Sequence, residues 1–312
     1  MKIATRASAL ALAQARQVAD LLGGAELLPL TTSGDRDAAA GGGGSAGDGG
    51  VTDPVPDPGA GDKSRWVAEL EQALLEGRAD PAVHSAKDVP ALVADGLELV
   101  GSPPRADPRD ALCGVASLDA LEAGARVGTS SLRRVAQLRA RRPDLEIAAL
   151  RGNVDTRLRR LSGGAFAAIV IAHAGLQRLG RVQEAGALLD PAAFVPAPGQ
   201  GTLALEARRQ DESVRERVRA IADPATEACL AAERALVRAL GADCHTPVGA
   251  LAVSGPGGSL TLSAFVGRTD GSAWVSDRRE GAEPERLGAE VAERVLAAGA
   301  RELLAEEIAG AR

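Results

Sequence analysis

Four short apolar runs, ALCGV, ARVG, EIAAL and AAIVIA, recur between Ala111 and Ala172 with helical segments separating them. Strands spaced in this way pair side by side through crossover helices, so the stretch predicts an α/β unit on a parallel sheet. Ligands bind such sheets beyond the carboxyl ends of the strands. One of those ends is VGTSSLRR, where Ser130 or Ser131 is placed to cap a helix that reads to about Arg142 and stops at Pro143.

That helix opens a run of positive charge. From Arg133 to Arg160 there are nine arginines against three acids, Asp144, Glu146 and Asp155, in a chain of net charge −6. Arg139, Arg141, Arg142, Arg159 and Arg160 fall near helix C-termini, where the dipole favours cations, and a solvated basic face accounts for them. Arg133 and Arg134 fall in a first turn, where the dipole is already positive and N–H groups are unpaired. Two cations there imply an anion held between them. With aromatics at 2% and no Tyr, base-stacking platforms are scarce, and the net negative charge repels a phosphate backbone. The expected anion is a small molecule, not a nucleic acid.

The N-terminus repeats this design. IATRASALALAQ reads as a strand from Lys2 to Ala4, then Arg6 at a helix mouth, then Ser8 capping a helix from about Ala9 to Leu22. Glu26 to Thr31 reads as a second strand. From Ser33 to Lys63 the chain contains GGGGSAGDGG and DPVPDPG, a composition that cannot pack. The residues before it are too few for a separate core, so this segment is expected to act as an active-site lid, with Lys63 and Trp66 at its end. A helix from Ser64 to Glu76, the strand PAVHSA, the segment KDVP and a strand near Leu97 to Val100 follow. SPPRADPRD and PAAFVPAPGQG then break regular structure twice, and TLALEA reads as a strand after the second break. Two crossovers let the chain leave the first lobe and return to it, which leaves a cleft between two lobes. VHSAKDVP puts His84, Ser85, Lys87 and Asp88 at a strand end on that cleft. A carboxylate among arginines stays ionised and can stabilise a cation or guide a proton. Residues 224–240 form an amphipathic helix ended by Gly241, and three strands and further helices complete a small α+β domain.

The chain has 312 residues, 45% hydrophobic and 25% charged, an ordinary soluble composition without an apolar run of membrane-spanning length. MKIATRAS has no apolar signal core, so a cytoplasmic protein is expected. Cys113, Cys229 and Cys244 are scattered without a CxxC pair, and His84, His173 and His245 add no ligand constellation, so neither a disulfide framework nor a metal site is expected. Cys244 sits in the loop GADCHTPVGA. It reads either as a small buried residue or as a thiol activated by a cationic cleft, and so as a point of covalent attachment.

Along nearly its whole length the chain resembles the hydroxymethylbilane synthases, also called porphobilinogen deaminases. The matching segments are IATRAS, VHSAKDVP, DPRDAL, VGTSSLRR, RRPDL, LRGNVDTRL, AGLQRLG, PGQG and the Cys244 loop, in the family's order. The resemblance implies an α/β fold of two periplasmic-binding-protein-like lobes, each with a mixed sheet, and a small C-terminal α+β domain. The lobes correspond to residues 1–103 with 200–221, including the lid at 33–63, and to residues 104–199; the cofactor-attachment domain corresponds to residues 222–312. It further implies a monomeric cytoplasmic enzyme of tetrapyrrole (heme, porphyrin) biosynthesis. Such an enzyme condenses four porphobilinogen molecules head to tail on a covalent dipyrromethane cofactor, releases ammonia at each step and frees hydroxymethylbilane by hydrolysis. By motif position Cys244 carries the cofactor through a thioether, and Asp88 is the catalytic carboxylate that stabilises the cationic azafulvene formed on deamination. Arg6, Ser8, Lys63, Lys87, Thr129, Ser131, Arg133, Arg134, Arg151, Arg157 and Arg178 are implied as contacts to the pyrrole acetates and propionates, with Gln200 and Gly201 in the interdomain strap. The chain departs from the family at GDKSRW, where many members have GGKG followed by Leu and Phe, and at ADCHTP, where GGCxxP is common. His173 stands where relatives carry a small residue, and reads as structural. The rival from another class is a bilobal protein that binds a small anion without chemistry; neither a signal peptide nor a helix-turn-helix segment supports it.

Overall fold

The structure is a computed structural model that describes residues 1–33, 35, 64–90, 92–242 and 246–310. The first lobe is built from β1 (Lys2–Arg6), α1 (Ala9–Leu21), β2 (Glu26–Leu30), α2 (Ser64–Leu75), β3 (Pro81–Ser85), a 3₁₀ turn (Ala86–Asp88) and β4 (Leu97–Gly101). Ser8 caps α1 as its position requires, its hydroxyl accepting from the Ala11 N–H at 3.3 Å. Helix α1 buries Ala11, Ala15, Val18 and Ala19, a three-to-four spacing that lays one stripe on the sheet. After a long excursion the chain returns as β10 (Leu203–Arg208), which lies antiparallel between β3 and β4 and gives the order β2-β1-β3-β10-β4. Ile3, Val18, Val83 and Leu205 form the centre of this core, and α6 (Glu212–Arg219) closes it with Val214 and Val218.

The excursion is the second lobe. It runs through β5 (Asp110–Cys113), β6 (Arg126–Gly128), α3 (Leu132–Arg141), β7 (Glu146–Ala148), α4 (Val154–Ser162), β8 (Ala168–Ala172), α5 (His173–Arg178) and β9 (Ala185–Leu188), in the sheet order β7-β6-β8-β5-β9. Only β7, β6 and β8 are parallel; β5 runs antiparallel to both β8 and β9. The parallel sheet read from the Ala111 to Ala172 alternation is therefore a mixed sheet, as the family resemblance implied. Strand β5 enters from the crossover out of the first lobe, without a helix to reverse its direction, and β9 is a short edge strand with no alternating signal.

The third unit consists of α7 (Pro224–Leu240), β11 (Val248–Ser254), β12 (Leu260–Gly267), β13 (Trp274–Gly281), α8 (Pro284–Val295) and α9 (Arg301–Gly310), with an antiparallel sheet in sequence order. Leu236, Leu240, Leu262, Val266 and Val291 pack its interior, and a fully buried side chain of this size contributes roughly 1.5–3 kcal/mol. Both lobes are tied to it, the first by Ala86 and Val89, which pack on Leu230 of α7. Arg105 pairs with the fully buried Glu233 of α7 at 2.7 Å, and Ala136 and Val195 of the second lobe pack on Leu251 and Phe265. Arg139 donates to the Thr269 carbonyl at 3.1 Å, and Arg142 donates to the carbonyls of Leu118 and Leu121. These two arginines, which the sequence places on a solvated face, instead join elements. Among the described residues no helix is long and apolar enough to cross a membrane.

Candidate functional site

The carboxyl end of β3 turns at once into the 3₁₀ turn that holds Lys87 and Asp88. The strap PGQG presses this turn into place: a Cβ on Gly199, whose φ is +73°, would lie 2.9 Å from the Lys87 nitrogen, so only glycine fits there. Behind the turn Ala86 and Val89 pack with Ala204 and with Leu230 of α7. Asp88 is thus fixed on a braced strand end and faces open space.

That space is a cavity of about 680 Å³ between the first lobe, the second lobe and α7. Its polar wall holds Lys87, Asp88, Ser130, Ser131, Arg133, Arg134 and Arg157, and its apolar wall holds Leu92, Val93, Leu230, Val237 and Val248. A smaller cavity of about 80 Å³ adjoins the same turn, lined by Arg6, Ser8, His84, Lys87, Asp88, Arg178, Gln200 and Gly201. Eleven of the residues expected at the site therefore line one continuous region. Thr129 lies behind it, fully buried, with its hydroxyl accepting from the Ser131 N–H at 3.2 Å. Arg151 is exposed and lines neither cavity. Lys63, Cys244 and His245 lie outside the described residues, as does most of the expected lid; its first residues do not float, since the Ser33 N–H donates to Glu69 at 2.7 Å and Asp35 is held by Thr32 and Arg6.

The anion between Arg133 and Arg134 is present within the chain. It is the carboxylate of Asp110, fully buried at the start of β5. Arg134 donates to its Oδ1 through Nε at 3.1 Å and Nη2 at 2.7 Å, and Arg133 Nη1 lies 2.9 Å from its Oδ2. Gln200 of the strap adds a donor at 3.0 Å. Burial raises the Asp110 carboxyl, but Arg133 and Arg134 outweigh it and hold the group far below the usual carboxylate range. Two guanidinium groups against one carboxylate leave one positive charge over, and the buried Arg133 Nε and Ser130 Oγ have no hydrogen-bond partner among the described residues. Ser131 stands at the N-cap of α3 but makes no side-chain capping bond, which corrects the capping role and leaves its hydroxyl on the cavity wall.

Other candidates are partly engaged. Arg6 is ion-paired with Asp35. Arg178 donates to the Gly201 carbonyl at 2.7 Å and keeps a buried Nε without a partner among the described residues. Gln200 and Gly201 act mainly inside the strap, with Gln200 Nε2 on the Pro108 carbonyl at 2.7 Å and the Gly201 carbonyl also taken by the Ala106 N–H. Arg157 donates to the Gly152 carbonyl at 2.8 Å, and burial together with Arg134 pulls it down to about 10 against the attraction of Asp88. Glu71 and Arg234 line the larger cavity and Asp110 lies fully buried behind its arginine wall; the motifs assigned none of the three a role. A lone acid at the head of the apolar strand DALC was the only signal for Asp110.

Two family models cover most of the chain. "Porphobilinogen deaminase, dipyromethane cofactor binding domain" matches residues 1–216, and "Porphobilinogen deaminase, C-terminal domain" matches residues 227–297. The chain belongs to the porphobilinogen deaminase family. A porphobilinogen deaminase of Roseiflexus castenholzii is 44% identical, with 98% of each chain covered. One from Sorangium cellulosum is 46% identical over 93% of this chain and 96% of its own. Within this family the spare donors of the cavity wall suit a ligand rich in carboxylates.

Lys87 gives a pH signature. Desolvation pulls its ammonium down to about 8 against the attraction of Asp88. The side chain is charged below that pH and neutral above it, so affinity for a carboxylate substrate is expected to weaken as pH rises through about 8. KM measured against pH should show this limb in the parent and lose it in Lys87→Met.

Proposed function

We propose that this protein is a hydroxymethylbilane synthase of tetrapyrrole biosynthesis that acts as a cytoplasmic monomer on porphobilinogen. The observation that carries the reading is Asp88 on a braced strand end, facing an arginine and serine wall across one cavity of about 680 Å³. The volume falls in the range of ligand sites, and every pyrrole of the substrate brings an acetate and a propionate for that wall. We place the first lobe at residues 1–103 and 200–221, the second at 104–199 and the C-terminal domain at 222–312.

The dipyrromethane cofactor that the family implies fits the donor set. Buried nitrogens on Arg133 and Arg178 and the Ser130 hydroxyl, which have no hydrogen-bond partner among the described residues, are donors that carboxylates satisfy. Arg133, Arg134, Arg157, Ser131 and Lys87 would hold it, and Cys244 would carry it through a thioether. When bound, it supplies the pyrrole carbon to which the first substrate is joined. Asp88 holds the substrate's pyrrole N–H and balances the positive charge that develops as ammonia leaves. The arginines bind and orient the carboxylates, and the apolar wall of Val93, Leu230 and Val237 limits the access of water. Cys113 and Cys229 are buried, and burial pushes the Cys113 thiol up to about 11 and raises that of Cys229, which makes both poor nucleophiles.

The test is an intact mass spectrum. The protein should exceed the mass of its chain by one dipyrromethane and should colour with Ehrlich's reagent. Cys244→Ser should lose both signals and all turnover, while Cys113→Ser and Cys229→Ser keep them. An unmodified mass in active protein overturns the reading, and a protein that binds porphobilinogen without turnover supports the anion-binding rival.

A further inference from the structure

Beneath the catalytic turn lies a pair of titratable side chains that no step above uses. His84 on β3 and Glu206 on β10 are buried at 5% and 0% exposure, and His84 Nε2 lies 2.8 Å from Glu206 Oε2. The other oxygen, Oε1, has no hydrogen-bond partner among the described residues. Antiparallel pairing sets this contact: Ala204 lies opposite His84 and Glu206 opposite Ala82, so both side chains rise on one face of the sheet. A fully buried carboxylate with a single partner is costly to the fold. Local rules are broken in this way where function requires it.

His84 also reaches the small cavity that Lys87 and Asp88 line. With Nε2 committed to the Glu206 carboxylate, that nitrogen carries the ring proton, and Nδ1 is the lone pair that the ring can offer to the cavity. At about 80 Å³ the cavity has room for several waters, each needing on the order of 15 Å³. The charged groups around the pair are Glu71 on α2 and Arg234 on α7 beside Glu206, and Lys87, Asp88, Arg6 and Arg178 around the cavity. Burial and the neighbouring Glu206 raise the Glu71 carboxyl. The imidazole, with one ring nitrogen held by a carboxylate and the ring lining the cavity, is thereby arranged as a proton carrier.

The chemistry proposed for the site needs such a group. In each condensation a pyrrole carbon bonds to the substrate methylene and must then lose its hydrogen as a proton, its C–H electron pair returning to the ring. The methylene has already lost its protonated amino group, the C–N pair leaving on nitrogen so that the ammonium departs as neutral ammonia. One proton per cycle must therefore travel from carbon to ammonia.

We infer that His84, oriented by Glu206, is the base that receives this proton at Nδ1, directly or through cavity water, and passes it to the departing ammonia. Glu206 is a positioning residue that acts only through His84. The inference rests on the functional reading above, so the holoenzyme is first checked for cofactor by intact mass, which exposes failure of that reading separately.

The deciding measurement is independent of turnover. In ¹⁵N imidazole spectra of the holoenzyme, assigned with His84→Asn, the His84 ring should be protonated at Nε2 and unprotonated at Nδ1 at pH 7, and Glu206→Gln should shift its titration. Turnover should then fall between about 10- and 100-fold in His84→Asn and Glu206→Gln, with KM within about threefold and the acidic limb of the kcat profile displaced in Glu206→Gln. A ring protonated at Nδ1 at pH 7 overturns the proposal. So does a kcat that falls with a pH profile of unchanged shape, which is the mark of a merely structural pair. Should either variant fail to fold, the spectra of the parent holoenzyme decide alone.

Discussion

Asp88→Asn is expected to fold, to retain bound pyrroles and to turn over at least ~100-fold more slowly than the parent, the loss typical of removing a group that handles charge or protons in a transition state. The turn that carries Asp88 is held by Gly199 of the strap and by the packing of Ala86 and Val89 on Leu230, and none of these contacts uses the carboxylate. The substitution therefore removes the charge and leaves the scaffold. Arg157 and Lys87 feel that charge, so both cations lose a balancing partner within the cavity. Single-turnover kinetics alongside intact mass would separate slow chemistry from weak binding. A rate near that of the parent would remove Asp88 from the mechanism.

The second large effect is on stability. Asp110→Asn keeps the shape of a side chain that Arg133, Arg134 and Gln200 all grip, but removes the carboxylate that lies between two buried guanidinium groups. Breaking a buried pair from one side costs roughly 3–5 kcal/mol, because the partner charge stays behind uncompensated. Urea denaturation should show that loss, and adding Arg134→Gln should recover part of it through coupling of the two sites. The pH dependence has a definite sign. A carboxyl held far below its ordinary value of about 3.9 stabilises the fold above that value and loses the effect as pH falls further. Parent stability should therefore drop below about pH 4, and this acid limb should shrink in Asp110→Asn. A variant as stable as the parent at pH 7 would mean that Asp110 is not the internal counter-ion.

Much of the architecture was legible along the chain, because helix stripes, caps and breaker residues are local signals. Ser8 before ALALAQ, Pro143 after the arginine helix and Gly241 after PATEACLAAERALVRAL each act on neighbours within a turn, and the helices start and stop there. The direction of β5, the edge strand β9 and helix α6 were not legible, since short strands of small residues carry no period and direction depends on where the chain enters the sheet. For the site, the strand-end motifs and the family resemblance pointed to Lys87, Asp88, Arg133, Arg134, Arg157, Arg178, Gln200 and Gly201, which line one region, while Arg151 lines neither cavity.

By itself the sequence determined the elements, the strand ends where chemistry gathers, and the demand for an anion at the first turn of α3, because each follows from residues a few positions apart. Only the tertiary structure decided what meets that demand. Asp110 reaches Arg134 across 24 residues of chain, and Glu206 reaches His84 across 122. Such pairs exist because β5 and β10 are inserted between strands far from them in sequence, and no local pattern records which buried acid will face which buried base.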